Sequence, residues 1–452
     1  MKKEEIIKAV QESPHSKVKL AVVDIDGVLR GKYMHRDKFL SALESGFGFC
    51  DVVFGWDMAD ALYDEVEVTG WHTGFPDAQA RIDIGTFRQV PWEDDIPFFL
   101  GDFSQDEGED FPACPRSLLK RIIVKAEGIG YSPFFSQEFE WFNFRENSNQ
   151  LEEKDYRSPS PLTPGMFGYS ILRASENSAF FHDLFELLGQ FGVPLEGLHT
   201  ETGPGVFEAA VQYSGILEAA DRAVLFKSGV KEIANKHGIM ASFMAKQTAD
   251  LPGCSGHVHQ SLWDEKEKKN LFFDASKKDQ MSDMMKSYMA GQLHCLPHIL
   301  PMFAPTINSF KRLVVGAWAP TTLTWGIDNR TTALRALPTG DKSTRLETRV
   351  VGSDVNPYLA MAACLASGLY GIEKKLKLDV PATEGNGYED LKNGVLPANL
   401  KDATEFMRSS EIADKLFGKD FVGHFCKTRD WEWAEYSKHV TDWEMKRYFE
   451  II

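Results

Sequence analysis

Residues 137–142 read QEFEWF, 255–262 read SGHVHQSL and 345–350 read RLETRV. Each stretch carries polar groups two positions apart in a β-forming context. Glu138 and Glu140, His257 and His259, and Arg345, Glu347 and Arg349 therefore share a strand face in turn. Burying such groups is costly unless a ligand, metal or counter-charge satisfies them. Three such pairs in one chain point to an active site lined by strands and built to hold metal and phosphate.

Outward from these strands, the chain reads as α+β. Residues 1–16 have the spacing of a short amphipathic helix. KLAVVDIDGVLRGKYM (19–34) reads as two strands joined at Asp26-Gly27. Residues 80–92 and 98–103 are further strand candidates. The acidic SQDEGED (104–110) marks a boundary, and RSLLKRIIVKAEGIG follows as a helix stopping at Gly128. The expected division is 1–110 as a small β-rich domain and 111–452 as a larger one. In the latter, 145–165 reads as a polar, Pro-rich loop and the stretch after Tyr213 as a helix ending at Gly238. A helix opens at Asn356-Pro357 and runs to about Gly371; 386–400 reads as loop, and the last ~50 residues as helical.

At 452 residues the chain can bury a large core. A net charge of −16 argues against a nucleic-acid partner, which asks for a basic face. No run of about 18 apolar residues predicts a membrane span. The six cysteines form no CxxC, as expected of a reduced, cytoplasmic protein.

The chemistry concentrates in two residue sets. HTETGPGVFEAA places Glu201 and Glu208 around a Gly-Pro-Gly turn. With Glu138, Glu140, Glu347 and His257 they make a donor set suited to Mg²⁺ or Mn²⁺ rather than zinc, with two or three ions per site. The second set is cationic: Arg312, Arg330, Arg335, Lys342, Arg345 and Arg349. Arginine's planar fork matches phosphate and carboxylate oxygens, so this set reads as a polyphosphate clamp.

The ordered motifs Glu-x-Glu, Glu…GPG…Glu, SGHxHxSL, KRLVxGxxAP, NRxxxxR and RxExR…NPYLAxAA resemble the glutamine synthetase family over nearly the whole chain. The resemblance implies an N-terminal β-grasp domain and a catalytic domain with a curved antiparallel sheet flanked by helices. It implies active sites between subunits of stacked hexameric rings, commonly a homo-dodecamer. It also implies a two-step reaction in which ATP phosphorylates the γ-carboxylate of glutamate and an amine displaces phosphate.

Carried over motif by motif, Glu140, Glu201 and Glu208 resemble the ligands of the metal that organises glutamate and the amine. Glu138, His257 and Glu347 resemble those of the metal on the ATP phosphates. His259 and Ser261 resemble nucleotide-site residues. Arg330, Arg335, Lys342 and Arg345 resemble the phosphate and transfer-site cations, with Arg330 catalytic. Arg312 and Arg349 resemble the cations that hold glutamate, and Gly253 a glycine whose backbone lies beside it.

Three departures bear on the amine. In ammonia-using members a Glu precedes the AP motif; here GAWAP has Trp318. A tyrosine of a GGYF-like segment aligns with Met166 in PGMFGY. Pro252 replaces an asparagine before Gly253. Trp and Met can line a pocket for a carbon-bearing amine, but neither accepts a proton. Asp57 and Asp60, in FGWDMADALYD, are candidates for the aspartate that reaches a neighbouring subunit's amine site. The expected activity is ATP-dependent formation of a γ-glutamyl amide from glutamate and a small organic amine, such as a monoamine, a polyamine or ethanolamine. True glutamine synthesis from ammonia is the alternative. A non-catalytic, lengsin-like role, suggested by TFRQVPW and TTLTWGIDN, is set against six filled ligand positions.

Overall fold

The computed structural model describes residues 1–104, 110–266 and 268–452. Two sheets organise them. The first has the order β2-β1-β5-β4-β3, from β1 (Lys17–Val23), β2 (Leu29–His35), β3 (Phe47–Cys50), β4 (Asp77–Val90) and β5 (Ile96–Ser104). β1 and β5 run parallel and the other pairs antiparallel. The β1–β2 turn falls where Asp26-Gly27 predicts it. Asp24 accepts the N–H groups of Asp26 and Val28, and Gly27 takes the left-handed φ of 84°.

Strand alternation divides β1 between two cores. Val18, Leu20 and Val22 pack in a core of their own with Phe39, Phe54, Phe99 and Phe103, under the helices Lys3–Glu12 and Arg36–Ser45. Ala21 and Val23 face the other way and join the main core. The small sheet is thereby fastened to the large one by ordinary period-2 burial. The acidic boundary at 104–110 lies largely outside the described residues.

The second sheet is nine-stranded. Its path is β12 (Trp325–Ile327), β13 (Leu334–Leu337), β14 (Arg345–Thr348), β11 (Val258–Asp264), β6 (Tyr131–Phe144), β8 (Val206–Val211) and β7 (Leu195–Thr200). The short β9 (Ser214–Gly215) and β10 (Met240–Ser242) pair with β6 off that path. The expected antiparallel pattern holds except for β12 and β13, which pair in parallel.

Helices Pro115–Gly128, Ile216–Lys236 and Pro357–Glu373 pack in the main core. The last is apolar nearly all round and buried from Pro357 to Gly368, as such a pattern demands. Its start is set by Asn356, whose side chain accepts the Tyr358 N–H.

The segment read as a loop, 145–165, contains a short helix, Ser148–Glu153. Asn147 and Gln150 form a reciprocal capping box there, a local signal that the Pro-rich remainder obscured. The C-terminal stretch is helical as expected, in four pieces: Leu400–Arg408, Glu411–Phe417, Lys419–Lys438 and Asp442–Tyr448. All six cysteines are free thiols. Among the described residues no helix is long and apolar enough to cross a membrane.

Candidate active site

Strand register assembles the polar pairs into two rows on one face of the large sheet. Glu140 of β6 stands directly opposite Glu208 of β8, which stands opposite His199 of β7. Arg335 of β13 stands opposite Glu347 of β14, and Glu347 opposite His259 of β11. Glu138 and His257 lie between the rows, joined by a backbone bond from the Glu138 N–H to the His257 carbonyl at 3.0 Å.

In the second row His257 Nδ1 lies 2.9 Å from Glu138 Oε1 and 3.4 Å from Glu347 Oε1. His259 Nε2 lies 3.4 Å from Glu138 Oε2. Arg335 bonds Glu347 at 2.7 Å, and Arg349 pairs with the other oxygen of the same carboxylate. Glu347 has no solvent exposure. Burial would raise its pKa, yet His259, Arg349 and His257 pull it down to about 2. Burial likewise opposes Glu138, and hydrogen bonds from His257 and His259 hold it well below the usual carboxylate range.

The first row has the opposite character. Burial raises Glu140, although the Ser255 N–H and hydroxyl both bond it, and Glu201 pushes in the same direction. Burial also raises Glu208 to about 7, with Glu138 and Glu140 adding to the effect against the His199 contact at 3.0 Å. Crowded carboxylates of this kind are short of positive charge.

Two donor groups are close enough to share an ion. The ligand atoms of Glu138, His259 and Glu347 lie within 4.8 Å of one another, as do those of His199, Glu201 and Glu208. Donors at about 2.1 Å from an octahedral Mg²⁺ are themselves about 3–4 Å apart, so modest side-chain adjustment suffices. The oxygen-rich donor set, the buried Nε2 of His257 without a partner and the charge deficit of the first row all fit a hard divalent cation.

The Gly-Pro-Gly turn works through close approach. A Cβ on Gly205, which has φ 71°, would sit 2.3 Å from the Asn143 carbonyl. This lets the turn fold against β6 and bring Glu201 to the end of the Glu208 strand.

The cations take three positions. Lys342 and Arg345 line a cavity of about 330 Å³ with His259, Ser261, Glu138 and the aromatic Tyr213 and Trp263. Arg345 Nε donates to His259 Nδ1 at 3.3 Å. Arg330 is exposed at the rim near Asp328, while Arg335 is tied to Asp328 and Glu347. Arg312 is buried and, among the described residues, donates only to the carbonyls of Val350 and Arg349, both at 3.1 Å. Among the described residues no carboxylate pairs with it at ion-pair distance. Burial lowers its pKa against the pull of Glu140 and Asp354. Such a cation is poised for an anionic ligand. Gly253 abuts it, because a Cβ there would lie 2.4 Å from the Ala245 carbonyl and 3.0 Å from Arg312 Cγ.

Two loops carry Met166 and Trp318. Tyr169 and Ser170 dock on Thr200 through backbone and hydroxyl bonds, holding Met166 nearby with 49% of its surface exposed. The Tyr169 ring stacks on His199 with centroids 4.3 Å apart, and burial together with Glu201 and Glu208 raises its phenol pKa. Trp318 is 60% exposed and holds a left-handed φ of 56°, costly for a bulky residue. It lies beside the Tyr388 phenol, which Arg349 and Arg312 also influence.

Asp57 and Asp60 do not join the cluster within this chain. Asp57 accepts the N–H groups of Ala59 and Ala61, and Asp60 pairs with Arg30 at 2.6 Å. Sequence reading passed over His199 and Tyr169. His199 carried the signal, since His199-Thr200-Glu201 repeats the two-residue spacing; Tyr169 is placed by loop docking that no local pattern reveals.

The model of the glutamine synthetase catalytic domain matches residues 112–448. A type-1 glutamine synthetase 2 of Dictyostelium discoideum is 54% identical over 99% of this chain and 86% of its own length. A glutamate–isopropylamine ligase of a Pseudomonas species is 37% identical over 96% of this chain and 95% of its own. A solved GmaS/ADP complex superposes with a TM-score of 0.86 at 27% identity, over 98% of this chain and 99% of that one. The curled sheet, its flanking helices and these relatives place the chain in the glutamine synthetase family, as an ATP-dependent carbon–nitrogen ligase.

Proposed function

We propose that this ligase joins glutamate to a small organic amine through γ-glutamyl phosphate. The observation that carries the reading is Trp318, an exposed indole in a strained loop where ammonia-using relatives are expected to place a carboxylate. An indole offers apolar surface to an alkyl group and gives an ammonium ion no counter-charge. The Pseudomonas relative, named for isopropylamine, supports the same reading.

In this scheme Arg312 and Arg349 hold the carboxylates of glutamate, with the backbone at Gly253 close by. Lys342 and Arg345, in the cavity that His259 and Ser261 line, hold the ATP phosphates together with Arg335 of the neighbouring strand. Arg330, exposed at the rim beside Asp328, stabilises the phosphoryl group as it passes to the γ-carboxylate oxygen. The amine nitrogen then attacks the activated carbonyl, phosphate leaves and the nitrogen loses a proton. Asp57 or Asp60 of a neighbouring subunit accepts that proton. Glu140, Glu201 and Glu208 would hold one divalent cation, and Glu138, His257 and Glu347 another; the same reading allows two to three ions in all. Mg²⁺ or Mn²⁺ bound there supplies charge neutralisation for the phosphates and the acyl phosphate.

The same reading takes residues 1–110 as a β-grasp unit and 111–452 as the catalytic unit. It places the protein in the cytoplasm as a ring-forming homo-oligomer, a dodecamer of two hexamers, with Met166 and Trp318 lining the amine pocket. Use of ammonia is the second reading. It is favoured by the name of the Dictyostelium relative and by Tyr169, whose phenol faces Glu201 and Glu208.

Incubation with ATP, Mg²⁺, glutamate and an equimolar mixture of ammonium and primary amines separates the two by mass spectrometry of the products. γ-Glutamyl alkylamides are expected to dominate. Glutamine as the sole product would overturn the proposal.

A further inference from the structure

Behind the sheet that carries the carboxylates lies a second, larger cavity of about 1060 Å³. Its position follows from strand alternation. Glu138 and Glu140 point to the active-site face of β6, so Phe139 between them points to the opposite face, towards the helix Ile216–Lys236. Lys227 of that helix lies over the Phe139 and Phe243 rings, 5.9 and 5.7 Å from their centroids. Lys231, one turn on, lies 5.8 Å from the Phe243 centroid. Both lysines line the cavity, together with the apolar Phe144, Met240, Phe243 and Met244.

Ion pairing accounts for three of the cavity's five acids and for neither of its lysines. Of its acids, Asp26 is paired with Arg429, Glu146 with Lys154 and Glu232 with Lys19. Asp354 accepts the hydroxyls of Thr306 and Ser309 on Oδ2, its buried Oδ1 having no partner among the described residues, and Glu432 accepts the Ile307 N–H. The two lysines lack such partners. Lys227 donates once, to the Val355 carbonyl at 2.9 Å, leaving two N–H groups unused. Lys231 makes no ion pair or hydrogen bond among the described residues. Burial, with Lys231 nearby, depresses Lys227 to about 7 against the pull of Asp354 and Asp24.

We propose that this cavity binds a small carboxylate with an apolar body, the carboxylate bridging Lys227 and Lys231 and the body lying among Phe243, Met240 and Met244. The site is separate from the glutamate site at Arg312 and independent of which amine the enzyme uses. It is coupled to the active-site face through short covalent and hydrogen-bonded paths. Phe139 separates Glu138 from Glu140, and Ser353, next to Asp354 in the cavity wall, donates to the Glu140 carbonyl at 2.6 Å.

The test uses phenylacetate as probe and phenethylamine as its cationic counterpart, by saturation-transfer NMR on the whole protein with glutamate saturating. Phenylacetate is expected to bind. Its affinity is expected to fall about tenfold or more in Lys231→Met and in Lys227→Met, the loss of one charge-assisted contact. Arg312→Met, which alters the glutamate site, is expected to leave it unchanged, and phenethylamine to show no binding. Lys231 is exposed, so its variant decides the matter even if Lys227→Met fails to fold. The proposal is overturned by absence of phenylacetate binding, by equal affinity in the Lys231 variant, by loss in Arg312→Met or by equal binding of phenethylamine.

Discussion

Glu347→Gln probes the electrostatic centre of the site. The carboxylate is fully buried and touches Arg335, Arg349 and His257. Its pKa is about 2 against an ordinary 4.5. The difference corresponds to about 3 kcal/mol favouring the charged form in the folded protein. Because the folded pKa is depressed, that stability is fully present above pH 4.5 and is lost as the pH falls towards 2. The assay is urea unfolding of metal-free wild type and variant across pH. The variant is expected to be about 3 kcal/mol less stable, with a gap that is flat from pH 8 to about 5 and narrows below. A gap under about 1 kcal/mol would refute the ion-pair assignment. So would a gap that closes between pH 7 and 6, since the histidines rather than Glu347 would then carry the effect.

Gly253→Ala forces a methyl against the Ala245 carbonyl and Arg312, so the KM for glutamate is expected to rise about tenfold with the KM for ATP little changed. Steady-state kinetics with each substrate varied in turn checks this. Trp318→Glu is expected to raise kcat/KM for ammonium about tenfold and to lower that for alkylamines, read from phosphate release. His424 is buried and neutral, facing the Phe54 carbonyl at 2.9 Å and the Val68 N–H at 3.4 Å, with burial holding its pKa at about 4. Acidification from pH 6.5 to 4 is therefore expected to cost about 3 kcal/mol through this residue, and His424→Gln to flatten that part of the stability–pH curve.

Two-residue spacing made the site legible because it is a property of strands, independent of tertiary contacts. Glu138 and Glu140 share a face of β6 as read, whereas His257 and Arg349 fall one residue outside β11 and β14 and still meet Glu138 and Glu347 because antiparallel register brings the strand ends together. What escaped was set by longer-range packing. Tyr169 reaches His199 only because its loop docks on Thr200. Asp57 and Asp60 looked like free site carboxylates, yet within the chain they cap a turn and pair with Arg30. The helix Ser148–Glu153 was hidden by prolines that follow it. The parallel pairing of β12 and β13 depends on chain path, which residue pattern does not encode.

The deciding measurement is kcat/KM for phosphate release from ATP with Mg²⁺ and saturating glutamate, taken for ammonium and for a series of primary amines of growing bulk. Organic-amine ligation predicts at least one alkylamine or hydroxyalkylamine well above ammonium. Ammonium alone stimulating release, with every organic amine inert, would contradict it and return Trp318 to a structural role.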